Sequence, residues 1–236
     1  MKDVKELMVM ERMIFDVDII PFRQLVTASN LPKFTNLFLF KNTELVEEPN
    51  IHVLESVKMT LGEFKLDDKI FPIDQLIIDR RAIAFVLQAD SDAANKLYLS
   101  IADLLREIGH NKEFTAENYL LRTTTTNCVA TLEVDYRDIF SKTFLSFVKK
   151  EATNTMASAV ENKAKIKILP KSLAFNVNYS VTDKSLIDSN IIITAKQFII
   201  EPRVGTKIED KIYYTSSPTD SKTHLKLIED FESLFK

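Results

Sequence analysis

The sequence predicts an α+β fold, built by tandem duplication of a strand-helix-strands-helix unit with mostly antiparallel sheets and helices on one face. Two echoes carry the prediction. Gln75-Leu76-Ile77-Ile78-Asp79-Arg80-Arg81 returns as Gln197-Phe198-Ile199-Ile200-Glu201-Pro202-Arg203, and each copy leads into a Ser/Asp-capped amphipathic helix. Phe15-Asp16-Val17-Asp18 returns as Leu132-Glu133-Val134-Asp135, each followed by a helix-start signal. The offsets, 122 and 117 residues, are similar, as duplication with small loop changes requires. The units run over 1–112 and 113–236. No Gly/Ser/Pro-rich linker lies near residues 109–118, so tight packing of the second on the first is expected.

The first unit starts with the Phe15/Val17/Ile19 alternation of a strand. Pro21 suits a first helical position, Phe22, Leu25 and Val26 follow at helical spacing, and Asn30-Leu31-Pro32 stops the helix. Residues 33–50 are weakly patterned and read as an exposed loop. Val53 to Phe64 alternates, with Val57, Met59 and Leu61 on one face, and Asp67-Asp68 marks a turn. Phe71 to Ile78 and Ala82 to Leu87 are strands, the second apolar enough to be buried. A helix follows, capped by Asp90 or Ser91, striped by Leu97, Ile101, Leu104, Leu105 and Ile108, and closed by Gly109.

The second unit repeats this order. Tyr119 to Tyr136 is β-prone, with Thr123 to Thr126 suited to a half-buried pleat and a break expected near Asn127. Ser141 caps a helix bearing Phe144, Leu145, Val148, Ala152 and Met156. Strands are expected at about 164–169, 172–181 and 190–200, with a short one at 207–214. Ser217-Pro218 opens the last helix, with Leu225, Ile228, Phe231, Leu234 and Phe235 inward.

Composition removes several functions. The chain has 236 residues, of which 45% are hydrophobic and 28% charged, ordinary for a globular protein. Its three glycines fall far below the usual ~7%. There is no GxGxxG and no Walker-type loop, so nucleotide binding by those routes is excluded and no cofactor is implied. Cys128 is the single cysteine, so no intramolecular disulfide forms, and it reads as a small core residue. The N-terminus lacks an apolar signal core and no apolar run reaches ~18 residues, so a cytoplasmic, non-membrane protein is expected.

Four sets of residues are candidates for chemistry. Asp16/Asp18 and Glu133/Asp135 have the period-2 spacing that puts both carboxylates on one strand face, where oxygens could hold a hard cation. The simpler reading is a solvated strand face. Arg81 and Arg203, at equivalent repeat positions, could clamp an anion, or could close salt bridges at strand ends. Lys163, Lys165 and Lys167 alternate with apolar residues inside a lysine-rich stretch, 142–171, that holds seven lysines and two acids. Such lysines protect an edge strand from aggregation or touch nucleic acid. The halves differ in charge: residues 1–112 carry 14 Lys/Arg against 18 Asp/Glu, and residues 113–236 carry 17 against 16. His52, His110 and His224 are scattered, with no nucleophile motif beside them.

These features point to a non-catalytic interaction or assembly protein that associates with itself as a dimer or binds a protein partner. A nucleic-acid-associated protein using the lysine face is the first alternative. A metal-dependent enzyme using the strand carboxylates is the second.

Overall fold

Among the described residues nine strands form one antiparallel sheet in the order β2-β3-β4-β5-β1-β6-β9-β8-β7. The computed structural model describes residues 3–16, 19–47, 54–109, 114–148, 150, 172–179 and 194–235. The strands are β1 (Asp3–Ile14), β2 (Asn42–Glu47), β3 (Leu54–Leu66), β4 (Lys69–Asp79), β5 (Ala82–Leu87), β6 (Leu121–Thr131), β7 (Leu173–Val177), β8 (Lys196–Pro202) and β9 (Ile212–Ser217). The α-helices among the described residues are α1 (Phe22–Leu25), α2 (Leu31–Leu37), α3 (Ser91–Gly109), α4 (Lys142–Phe147) and α5 (Ser221–Ser233).

The two halves meet edge to edge through β1 and β6, with Val9 opposite Thr126 near the middle of the pair. Outward from β1 the sheet runs β5, β4, β3, β2; outward from β6 it runs β9, β8, β7. The echoed segments fall on β4 and β8, each two places from the central pair. Ile78 is flanked by Val57 and Ile83, and Ile200 by Leu173 and Thr215. Both isoleucines are fully buried. At the ends of β1 and β6, Phe15 N–H donates to Arg81 O at 2.7 Å, and Leu132 N–H to Lys211 O at 3.0 Å.

Period-2 alternation decides which side of the sheet is covered. On β1, Val9, Glu11 and Met13 are buried while Met10 and Arg12 are exposed. Val9, Met13, Val57, Met59, Ile78 and Phe85 share a core with Leu97, Ile101 and Leu105 of α3 and with Phe22, Leu25 and Phe34 of α1 and α2. A second core joins Cys128, Ala130, Ile200 and Tyr213 to Ile228 of α5. Phe114 is buried in the first core, 5.5 Å from the Phe15 ring, and Ala116 and Tyr119 pack beside it.

Several local expectations need correction. The first strand ends at Ile14, because Phe15 leaves the β1 ladder to bond the β4–β5 turn. Residues 33–50 are not one loop: Pro32 ends nothing but opens α2, where its missing N–H costs nothing, and β2 follows. Asn127 does not break β6; it lies opposite Met8 and Ser216. Asp220, not Ser217, caps α5, its Oδ1 accepting from Thr223 N–H at 3.0 Å. Leu61 leaves its alternation because its backbone is left-handed, at φ 56°, which turns its side chain outward while the β3–β4 register on either side of it stays the same. The extension of α4 through Ala152 and Met156 and the strand at 164–169 lie outside the described residues.

Candidate functional site: the outer edge of the sheet

β7 stands last in the sheet among the described residues and is bonded to β8 alone. Its sequence, Leu173-Ala174-Phe175-Asn176-Val177, has no charge, no proline and no glycine. Nothing in that composition discourages a further strand from adding to it. Phe175 is 54% exposed, and its ring stands 6.1 Å from that of Phe198, its direct cross-strand neighbour. The opposite edge differs: β2 carries Glu44 and Glu47, so two β2 edges brought together would repel.

More apolar surface adjoins this half. Phe144 and Phe147 of α4 are exposed, and Phe144 leans on Phe140, which leans on buried Tyr136. Ser141 sets the direction of α4 by accepting from Phe144 N–H at 3.1 Å. Every exposed phenylalanine or tyrosine among the described residues lies in the second half.

The carboxylates singled out in the sequence are not brought together. Asp16 follows the end of β1, whereas Glu133 and Asp135 follow the end of β6, and those strands run in opposite directions. Asp135 caps a 3₁₀ turn (Tyr136–Ile139) and grips the Arg137 guanidinium with both oxygens. The Arg137 hydrogen bond holds that carboxyl down at about 2. Asp18 lies outside the described residues. Among the described residues no group of three His, Cys, Asp or Glu could hold a metal ion.

Arg81 and Arg203 are also apart. Asp79 Oδ1 accepts from the backbone N–H groups of Arg81 and Ala82, both at 2.6 Å, so this acid shapes the β4–β5 turn. Arg203 pairs with Glu6 at 2.7 Å. Arg81 therefore sits beside one end of β1 and Arg203 beside the other. Glu6 to Phe15 spans about 30 Å of extended chain, too far for one small anion. Lys163, Lys165 and Lys167 lie outside the described residues.

Two buried polar sites went unread in the sequence. Glu11 on β1 and Arg122 on β6 form a two-pronged ion pair at 2.6 and 3.0 Å beneath α3. Arg122 also donates to Asn95 Oδ1 at 2.9 Å and lies over the Tyr98 ring. His224 is fully buried between Ser217 Oγ, 2.6 Å from Nδ1, and Thr215 Oγ1, 2.9 Å from Nε2. Thr215 Oγ1 donates to Cys128 O, which assigns the imidazole proton to Nε2 and makes Nδ1 the acceptor from Ser217. Burial holds this imidazole down at about 4. A Ser–His pair so enclosed reaches no substrate, because Ser217 is itself buried. Only the i, i+7 spacing of Ser217 and His224 was visible beforehand, and it is not a motif.

No protein-family model matches the chain, and no curated protein matches it.

Proposed function

We propose that this chain is a non-catalytic assembly protein whose two α+β modules, 1–112 and 113–236, arose by duplication, and which dimerises by pairing β7 with the β7 of a second copy. The uncharged outer edge with its exposed Phe175 carries this reading. An antiparallel pair centred on Phe175 puts Leu173 opposite Val177 and Ala174 opposite Asn176. It also places the two Phe175 rings face to face between the two Phe198 rings. Aromatic cross-strand pairs each contribute about 0.2–1 kcal/mol beyond the ladder hydrogen bonds.

Duplication is supported by register. An offset of 117 makes Val9 and Thr126 counterparts, and they are direct partners in the β1–β6 ladder. A pseudo-twofold axis between them relates β5, β4 and β3 to β9, β8 and β7. Among the described residues β2 has no counterpart beyond β7, whereas β3 is covered by β2. A second copy supplies the missing strand. No helix among the described residues is long and apolar enough to cross a membrane, and the proposed setting is the cytoplasm.

Light scattering on the full chain tests this. The reading expects twice the 27.1 kDa chain mass for wild type and the single mass for Phe175→Lys. A wild-type monomer at about 100 μM, well above the micromolar affinity of a modest interface, overturns it.

A further inference from the structure

Among the described residues, the face of the sheet opposite the helices holds a cleft of about 190 Å³. A half-covered strand should turn polar residues to the open side. Here the open side is apolar at its centre. Register makes the patch continuous: Ile77 lies opposite Ala84, Ala84 opposite Arg12, and Arg12 opposite Thr123. One row over, Gln75 lies opposite Val86, Val86 opposite Met10, and Met10 opposite Thr125. Met10 is 41% exposed. Thr194 and Lys196, where the chain enters β8, form one wall.

The charge of the cleft is one-sided. Arg12 and Lys196 both line it, and neither is paired with a carboxylate among the described residues. Among the described lining residues the only acid is Glu11, whose carboxylate is turned to the other face, where Arg122 takes both oxygens. Among the described residues the cleft therefore joins an aliphatic floor to two cations without a carboxylate partner and a row of hydroxyls.

We propose that this cleft binds a small amphipathic organic anion. Its carboxylate lies between Arg12 and Lys196, and its aliphatic body lies on Met10, Ile77 and Val86. Apolar walls with a few placed polar groups are the usual make-up of a small-molecule site, and a cleft of about 190 Å³, below the ~300–1,000 Å³ of drug-sized sites, takes a correspondingly smaller ligand. The assignment goes beyond dimerisation and stands even if β7 proves unpaired.

The test is a titration of the full chain, carrying methyl-labelled methionine, with octanoate, followed by NMR at Met10. Octanol and octylamine serve as neutral and cationic controls. The Met10 methyl is expected to shift and saturate below about 1 mM octanoate, and Arg12→Gln/Lys196→Gln to weaken binding at least ~10-fold. Buried Met13 and Met59 report whether the variant keeps its fold. A Met10 signal untouched by octanoate overturns the proposal. So does octanol binding as tightly as octanoate, or an affinity unchanged in the folded double variant.

Discussion

Ser91 and Ser221 satisfy each other's backbone. The Ser91 N–H donates to Ser221 Oγ at 3.0 Å, and the Ser221 N–H donates to Ser91 Oγ at 2.8 Å. Each serine is the first residue of its helix, and each helix is capped one residue earlier by an aspartate, Asp90 or Asp220. Two orphan N–H groups, one per helix, thus find partners across the meeting point of the halves.

Because the two bonds are equivalent, their loss should be equal. Ser91→Ala and Ser221→Ala are each expected to cost about 1 kcal/mol in chemical denaturation. A large cost for one and none for the other contradicts the exchange.

The Glu11–Arg122 pair predicts an asymmetric result. The Glu11 side chain is 1% exposed and the Arg122 side chain 25%. Arg122→Ala strands a buried carboxylate and should cost about 3 kcal/mol or more, whereas Glu11→Met with Arg122→Met should recover much of the loss. Urea titrations of both variants measure the difference.

His224 ties stability to pH. Its folded-state pKa of about 4 lies below the ordinary 6.5, so the unfolded chain takes up this proton first as pH falls. The side chains facing it are the hydroxyls of Thr215 and Ser217, and neither supplies a charge to stabilise an imidazolium. Above pH 6.5 the group contributes nothing. Between pH 6.5 and 4 it should remove about 1.4 kcal/mol per pH unit, up to about 3 kcal/mol. Stability measured against pH for wild type and His224→Gln checks this, and the variant should lose that slope.

The left-handed step at Leu61–Gly62 in β3 carries its own test. A Cβ on Gly62 would overlap the buried Phe40 ring and would crowd the Phe38 carbonyl. Gly62→Ala should therefore destabilise by about 1–3 kcal/mol. Leu61 is exposed and left-handed, so Leu61→Gly should raise the melting temperature by relieving about 1 kcal/mol of strain.

Much of this arrangement was legible in the residues. Ile78 and Ile200 are both fully buried on strands two places from the central pair, as apolar residues in these runs should be, although Leu76 is buried where Phe198 is only half-buried. α3 was readable from its stripe and its aspartate cap. The apolar run Ala82–Leu87 gave β5, although Ala84 and Val86 turn to the open face and are only half-buried. Other parts depended on tertiary context. Asn127 reads as a breaker, yet β1 and β9 flank it on both sides and hold it extended. Ser217-Pro218 reads as a helix start, yet His224 claims the serine hydroxyl and passes the cap to Asp220. The Glu11–Arg122 pair joins residues 111 apart, a distance no local pattern spans.

The most direct measurement is hydrogen exchange at the backbone amides of Leu173 to Val177 in the unmodified chain. In a strand bonded on one side, alternate amides face solvent and exchange freely; in a strand bonded on both sides, all are held. The account predicts that all five amides become slow as protein concentration rises through the dimerisation range. Alternate amides that exchange freely at every concentration would contradict it.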